Sequence, residues 1–106
     1  MSPEPRLFTM ALHPQVAHLA IKLREIEAIL AEDHRSAWVE EVKRCRLAIE
    51  NSDAWGADRF LIFFGGMGSL NDYYVERDGR PDIAETDKLH ALLSEAWTLA
   101  RSIRTG

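Results

Sequence analysis

Two observations predict an all-α fold for this chain of 106 residues. Apolar residues recur every three or four positions in three long stretches, and helix-capping residues stand at the breaks between them. The expected architecture is a four-helix single domain over residues 13–106, with a structured Gly-rich loop and a short extended arm between helices 3 and 4. Residues 1–12, with Pro3 and Pro5 and a single basic residue, Arg6, are expected to form a mobile N-terminal lead.

The first helix is expected over about 14–32, where Val16, Leu19, Leu23, Ile26 and Leu30 are spaced 3, 4, 3, 4 and so share one face. Pro14 suits its first turn, where a missing N–H costs nothing. After the break at residues 32–36, Asp33 or Ser36 is expected to cap a second helix over about 36–51. Its apolar stripe is Trp38, Val42, Cys45 and Ile49, and the short break implies that the two helices run antiparallel. Asn51-Ser52-Asp53 is a further cap signal ahead of Ala54 to Phe64. The apolar run Phe60 to Phe64 suits a buried strand or a buried helix; Asp53 upstream and Gly65 downstream favour a short helix. Tyr73-Tyr74-Val75-Glu76 has strand propensity and Asp78-Gly79 is a turn pair, but Arg80-Pro81-Asp82 is a poor partner strand. The segment is therefore expected to lie extended across the helices, with at most a short strand and no partner for it. Asp82 and Glu85 have the spacing of a capping box, with Thr86 as an alternative cap. The last helix, about 83–103, carries Leu89, Leu92, Leu93, Ala96, Ala100 and Ile103 on its apolar face.

Composition limits the function classes. A 46% hydrophobic and 28% charged chain is that of an ordinary folded domain, and at this length roughly two-thirds of the unfolded surface can be buried. The net charge of −4 argues against a nucleic-acid-coating protein and for a basic partner. The single cysteine forms no internal disulfide, which fits a reducing compartment. The longest uncharged run, Phe60 to Asn71, is well short of the roughly 20 apolar residues that span a bilayer, and no secretory signal is recognisable, so a cytoplasmic protein is expected.

Chemistry-bearing residues are few. Gly65-Gly66-Met67-Gly68 places three glycines in four residues, but the Lys-Ser/Thr of a phosphate loop is missing and a helix precedes the loop instead of following it. The loop reads first as a helix stop and tight turn, with Asn71 and Asp72 bonding the local backbone. Its second reading is an anion site built on backbone amides. Asp87 and His90 have the spacing of a carboxylate-bridged metal motif, but one such motif without further ligands holds no metal centre. Cys45 shares the apolar stripe of its helix and reads as a buried small hydrophobe, and Lys43-Arg44-Cys45-Arg46 reads as a solvated helix edge. Tyr73 and Tyr74 are neighbours in an extended segment, so they point to opposite sides and one is exposed. No catalytic set, metal or cofactor is expected. The candidate binding surface is Gly65, Gly66, Met67, Gly68, Ser69, Asn71, Asp72, Tyr73 and Tyr74.

The run Arg59 to Asp72, reading RFLIFFGGMGSLND, resembles the signature of an uncharacterised family of small bacterial proteins. In that family helices precede the FGGMGSLND-type segment and a leucine-rich helix follows, here LHALLSEAW over residues 89–97. The resemblance implies a bacterial cytosolic protein and brings no catalytic residues with it. The expected function is a non-enzymatic protein-interaction domain, with immunity- or antitoxin-like binding of a partner protein as its concrete form. A small-ligand or phosphate-binding domain using the Gly65–Asp72 loop, and a homodimeric structural module, are the alternatives.

Overall fold

The computed structural model describes residues 14–33, 37–65 and 69–105. The expected lead at residues 1–12, the cap at Ser36 and loop residues Gly66, Met67 and Gly68 lie outside the described residues. Four α-helices are present among the described residues: α1 (Pro14–Ala31), α2 (Trp38–Glu50), α3 (Trp55–Ile62) and α4 (Ile83–Thr105). Between α3 and α4 come a 3₁₀ turn at Leu70–Asp72 and a minimal ribbon of β1 (Glu76–Arg77) and β2 (Arg80–Pro81). The domain is all-α, as its periodicity predicts.

The helices form a ring. α1 packs on both α2 and α4, and α3 closes the ring by packing on the same two helices. Ion pairs fix the directions. Arg24 meets Glu50 at 2.7 Å and Glu27 meets Arg46 at 2.6 Å, so positions advance along α1 as they recede along α2. Lys22 meets Glu95 at 3.0 Å, whereas Asp33, just past α1, bonds the arm that docks on the first turns of α4. α4 therefore also runs antiparallel to α1.

Each expected stripe faces the interior of this ring. Leu19, Leu23, Ile26 and Leu30 of α1 meet Val42, Cys45 and Ile49 of α2, Phe60 of α3, and Leu89, Leu93, Ala96 and Ala100 of α4, all of them buried. Burying each of the larger side chains is worth about 1.5–3 kcal/mol, which is the main force holding the ring closed. Phe60 also stacks edge-on against Phe63 and Phe64, at 6.1 and 5.1 Å between ring centres.

Three local expectations are corrected. Asp33 does not cap α2, whose first turn has no side-chain cap; its carboxylate is turned inward and only 5% exposed. Arg46 is not a solvated edge. Its side chain is 11% exposed and binds Glu27 of α1 and, at 3.1 Å, Glu50 of its own helix. The hydrogen bond to Glu27, foremost, raises its pKa further. Periodicity placed Arg46 beside the apolar stripe but did not show that α1 would cover it. Finally, Arg80–Pro81 does pair with Glu76–Arg77, antiparallel, across a turn whose Asp78 and Gly79 both take positive φ (56° and 79°). The turn chemistry of Asp-Gly is sufficient to form a two-residue ladder even where a proline ends it.

The contact of α3 with α2 is unusually close at Gly56. A Cβ there would stand 2.6 Å from the Cys45 carbonyl oxygen and 2.9 Å from Ile49 Cγ1, so only glycine lets the helices approach this far. Gly56→Ala is expected to destabilise the fold by about 1–3 kcal/mol, because the obstruction is helix backbone that cannot step aside. Urea unfolding would show it as a lower midpoint at unchanged slope.

Cys45 is fully buried at the same contact. Burial pushes its thiol up to about 12, with Glu41 adding to the effect and Arg59 opposing it. In the unfolded chain the thiol ionises near 8.5, so the stability that comes from keeping it neutral is complete below that pH. It is lost progressively as pH rises from there toward about 12. Cys45→Ala is expected to flatten this alkaline loss of stability, measured by thermal melts between neutral and high pH. Native protein should also leave a thiol reagent unreacted until denaturant is added.

Candidate functional site

The region between α3 and α4 is built by backbone hydrogen bonds that have no helix or sheet to satisfy them. After Ile62 the chain tightens, and the Phe63 and Phe64 N–H groups donate to the Phe60 and Leu61 carbonyls at 3.1 and 3.3 Å. Gly65 then turns the chain with φ +92°, a conformation that favours glycine. The loop comes back when the Leu70 N–H donates to the Phe63 carbonyl at 2.9 Å, with the Leu70 side chain fully buried. Asn71 closes it. Its Oδ1 accepts the Gly65 N–H at 3.4 Å and the Ser69 hydroxyl. The described part of the glycine loop is thus tied to its own side chains, and the Gly65 amide is already engaged. Asp72 is exposed.

The arm that follows is riveted to two helices. The Tyr73 hydroxyl donates to Asp33 Oδ2 at 2.7 Å, and the Glu76 N–H reaches the same oxygen at 3.3 Å. His90 Nε2 lies 2.7 Å from the Tyr73 carbonyl, which can only accept, so this nitrogen carries the proton. The Val75 N–H donates to Thr86 Oγ1 at 2.9 Å, and the Val75 carbonyl accepts the Asp82 N–H at 2.8 Å. Asp82 caps α4 by accepting the Glu85 N–H at 3.0 Å and also holds Arg77 at 3.0 Å. That backbone bond, followed by Arg77, keeps its carboxyl below the usual range. Thr86 therefore anchors the arm while Asp82 does the capping. Tyr73 points inward and is half-buried, whereas Tyr74 points outward and is exposed, its hydroxyl 3.2 Å from Glu76.

Two of the grooves that border this segment flank the loop. One, of about 450 Å³, is lined by Phe64, Asn71, His90, Leu93, Ser94 and Trp97. The other, of about 480 Å³, lies between α2 and α3, with Trp38, Glu41, Arg59, Ile62, Gly65 and Ser69 among its walls. Arg59 approaches Glu41 at 3.5 Å without hydrogen-bond geometry, so Glu41 Oε1 is shielded from water and lacks a donor. Arg59 also lies over the Phe63 ring, 5.5 Å from its centre. Among the described residues no group of three or more His, Cys, Asp or Glu could hold a metal, and no helix is long and apolar enough to cross a membrane.

Of the expected site residues, Gly65, Ser69, Asn71, Asp72, Tyr73 and Tyr74 are described; Asp72 and Tyr74 are exposed, whereas Ser69 and Asn71 fasten the loop and Tyr73 ties the arm to Asp33. Asp33, His90, Glu41 and Arg59 were not expected there. A signal for Asp33 does exist. It continues the spacing of Ile26 and Leu30 by three more residues, which places a carboxylate on the buried face.

The family model described as Domain of unknown function (DUF6966) matches residues 31–83, half of the chain, and the chain belongs to that family. The matched stretch runs from the end of α1 through the loop and arm to the start of α4. No curated protein and no solved structure matches the chain.

Removing the Asp33 carboxylate takes away one hydrogen bond from the Tyr73 hydroxyl and one from the Glu76 backbone N–H. Asp33→Ala is expected to cost about 1–3 kcal/mol and Tyr73→Phe about 1 kcal/mol. In a double-mutant cycle the two losses should be coupled by at least about 0.5 kcal/mol; simple additivity would show that the hydrogen bond contributes nothing of its own.

Proposed function

We propose that the chain is a non-enzymatic protein-interaction domain that binds a basic partner protein through the outer face of α3 and the groove beside it. One observation carries this reading. Trp55 and Ile62, seven residues apart and so on one face of α3, are 48% and 66% exposed, and Ile62 lines the groove walled by Trp38 and Phe63. Large aromatic and aliphatic side chains left in water at the edge of an aromatic-lined groove are the usual anchors of a protein interface. The basic partner is inferred from the whole chain's net charge of −4; the two helices that frame the surface are themselves balanced, with Glu40, Glu41, Glu50 and Asp58 against Lys43, Arg44, Arg46 and Arg59. Immunity- or antitoxin-like binding in a bacterial cytoplasm is the concrete form of this reading, in which an acidic protein meets a basic surface of its partner.

The test is a tagged chain expressed in its source organism, followed by reconstitution of whatever co-purifies from separately purified components. The expected result is a stoichiometric partner with an excess of Lys and Arg, whose affinity falls by about tenfold or more in Ile62→Glu while the melting temperature of the variant holds. A reconstituted complex indifferent to Ile62→Glu and Trp55→Ala would overturn the reading. So would light scattering that finds a dimer dissociated by Ile62→Glu, because a second copy would then be the occupant of this face.

A further inference from the structure

The groove on α4 has a different chemistry from the α3 face and stands apart from the function proposed above. His90, Ser94 and Trp97 are spaced by four and three residues, so they form one outward stripe beside the buried stripe of Leu89, Leu93 and Ala96. Phe64, at the end of α3, and Asn71, closing the glycine loop, line the same groove. Its volume of about 450 Å³ is that of a pocket for a small organic molecule.

The hydrogen-bonding groups in it are already oriented. His90 donates through Nε2 to the Tyr73 carbonyl, which leaves Nδ1 of the neutral ring as an acceptor. Asn71 spends Oδ1 on the Gly65 N–H and the Ser69 hydroxyl, so its amide NH₂ is the part these bonds do not use, and it is a donor. Ser94 contributes a hydroxyl that can do either. The apolar contribution comes from the rings of Phe64 and Trp97. The guanidinium of Arg101 lies over the Trp97 ring, 5.1 Å from its centre, a cation–π contact that restrains the indole.

We infer that this groove binds a planar heteroaromatic molecule of the nucleobase type, stacked on Trp97 and Phe64 with one edge read by His90 and Asn71. A flat ring meets the two aromatic walls. A ring-edge N–H answers His90 Nδ1, and a ring or exocyclic acceptor answers the Asn71 amide; purines and pyrimidines carry both kinds of group side by side. A purely aliphatic ligand would offer nothing to His90 Nδ1 or to the Asn71 NH₂, and a bare phosphate would leave both rings uncovered.

The experiment uses the full chain, isotope-labelled, titrated with adenine, guanine, cytosine, uracil and their nucleosides. At least one of them is expected to bind at a single site with sub-millimolar affinity and to shift the backbone resonances of residues 64, 71 and 90–97. Ser94→Phe puts a ring into the groove from an exposed position and should abolish binding while leaving the melting temperature unchanged. Trp97→Leu, read by the same titration, should weaken binding by about tenfold through lost stacking. Absence of binding across the panel, shifts confined to residues elsewhere, or binding that survives Ser94→Phe would each overturn the inference. None of these outcomes bears on the α3 face, whose test reads Ile62 and a protein partner.

Discussion

An eight-residue helix cannot cover the opening that three helices of 13, 18 and 23 residues leave between them. The rest of the structure depends on that mismatch. The missing part of the fourth wall is supplied by non-helical chain, and Phe63, Leu70 and Val75 enter the core from it. Backbone placed against a core without a helix or a sheet must find partners for its polar groups one at a time. Here the partners are side chains from the surrounding elements: Asn71 for Gly65, Asp33 for Glu76, Thr86 for Val75 and His90 for the Tyr73 carbonyl. Both grooves are seams of this repair, one where the chain meets α4 and one where it leaves α3.

This division explains what could be read from the residues. The helices were legible because each buries one stripe, and a stripe is a local property of sequence. Their bounds differ from expectation only at the ends: α2 begins at Trp38 instead of Ser36, and α4 continues to Thr105. The antiparallel pairing of α1 and α2 followed from the short break between them; the ring order and the direction of α4 did not, because the α3–α4 connection is long. What could not be read was which polar residue would serve which distant backbone atom. Asp33 lies 40 residues from Tyr73, and local rules offered it the nearer task of capping α2. Arg46 likewise looked like an edge residue until α1 supplied Glu27. The Asp-Gly turn was recognised, but the brief ladder it supports was not, because Pro81 argued against a strand.

The glycine loop was the most conspicuous passage in the chain, and the structure gives its described residues mainly supporting roles. Gly65 turns the backbone, Ser69 and Asn71 fasten it and Leu70 pins it to the core. Asn71 also lines the groove on α4, whose other walls come from α4 and from Phe64 just past α3. A loop can matter to binding both through such a residue and by setting the distance between two walls. The family match covers α2, α3 and this same region and stops at the first residue of α4.

The seclusion of Cys45 makes the chain convenient to instrument. Its one thiol is walled in by the α2–α3 contact, so a cysteine introduced at an exposed position such as Ser94 or Ile62 would be the sole accessible handle for a dye or spin label. Distances across either groove could then be followed in solution on a protein otherwise unaltered.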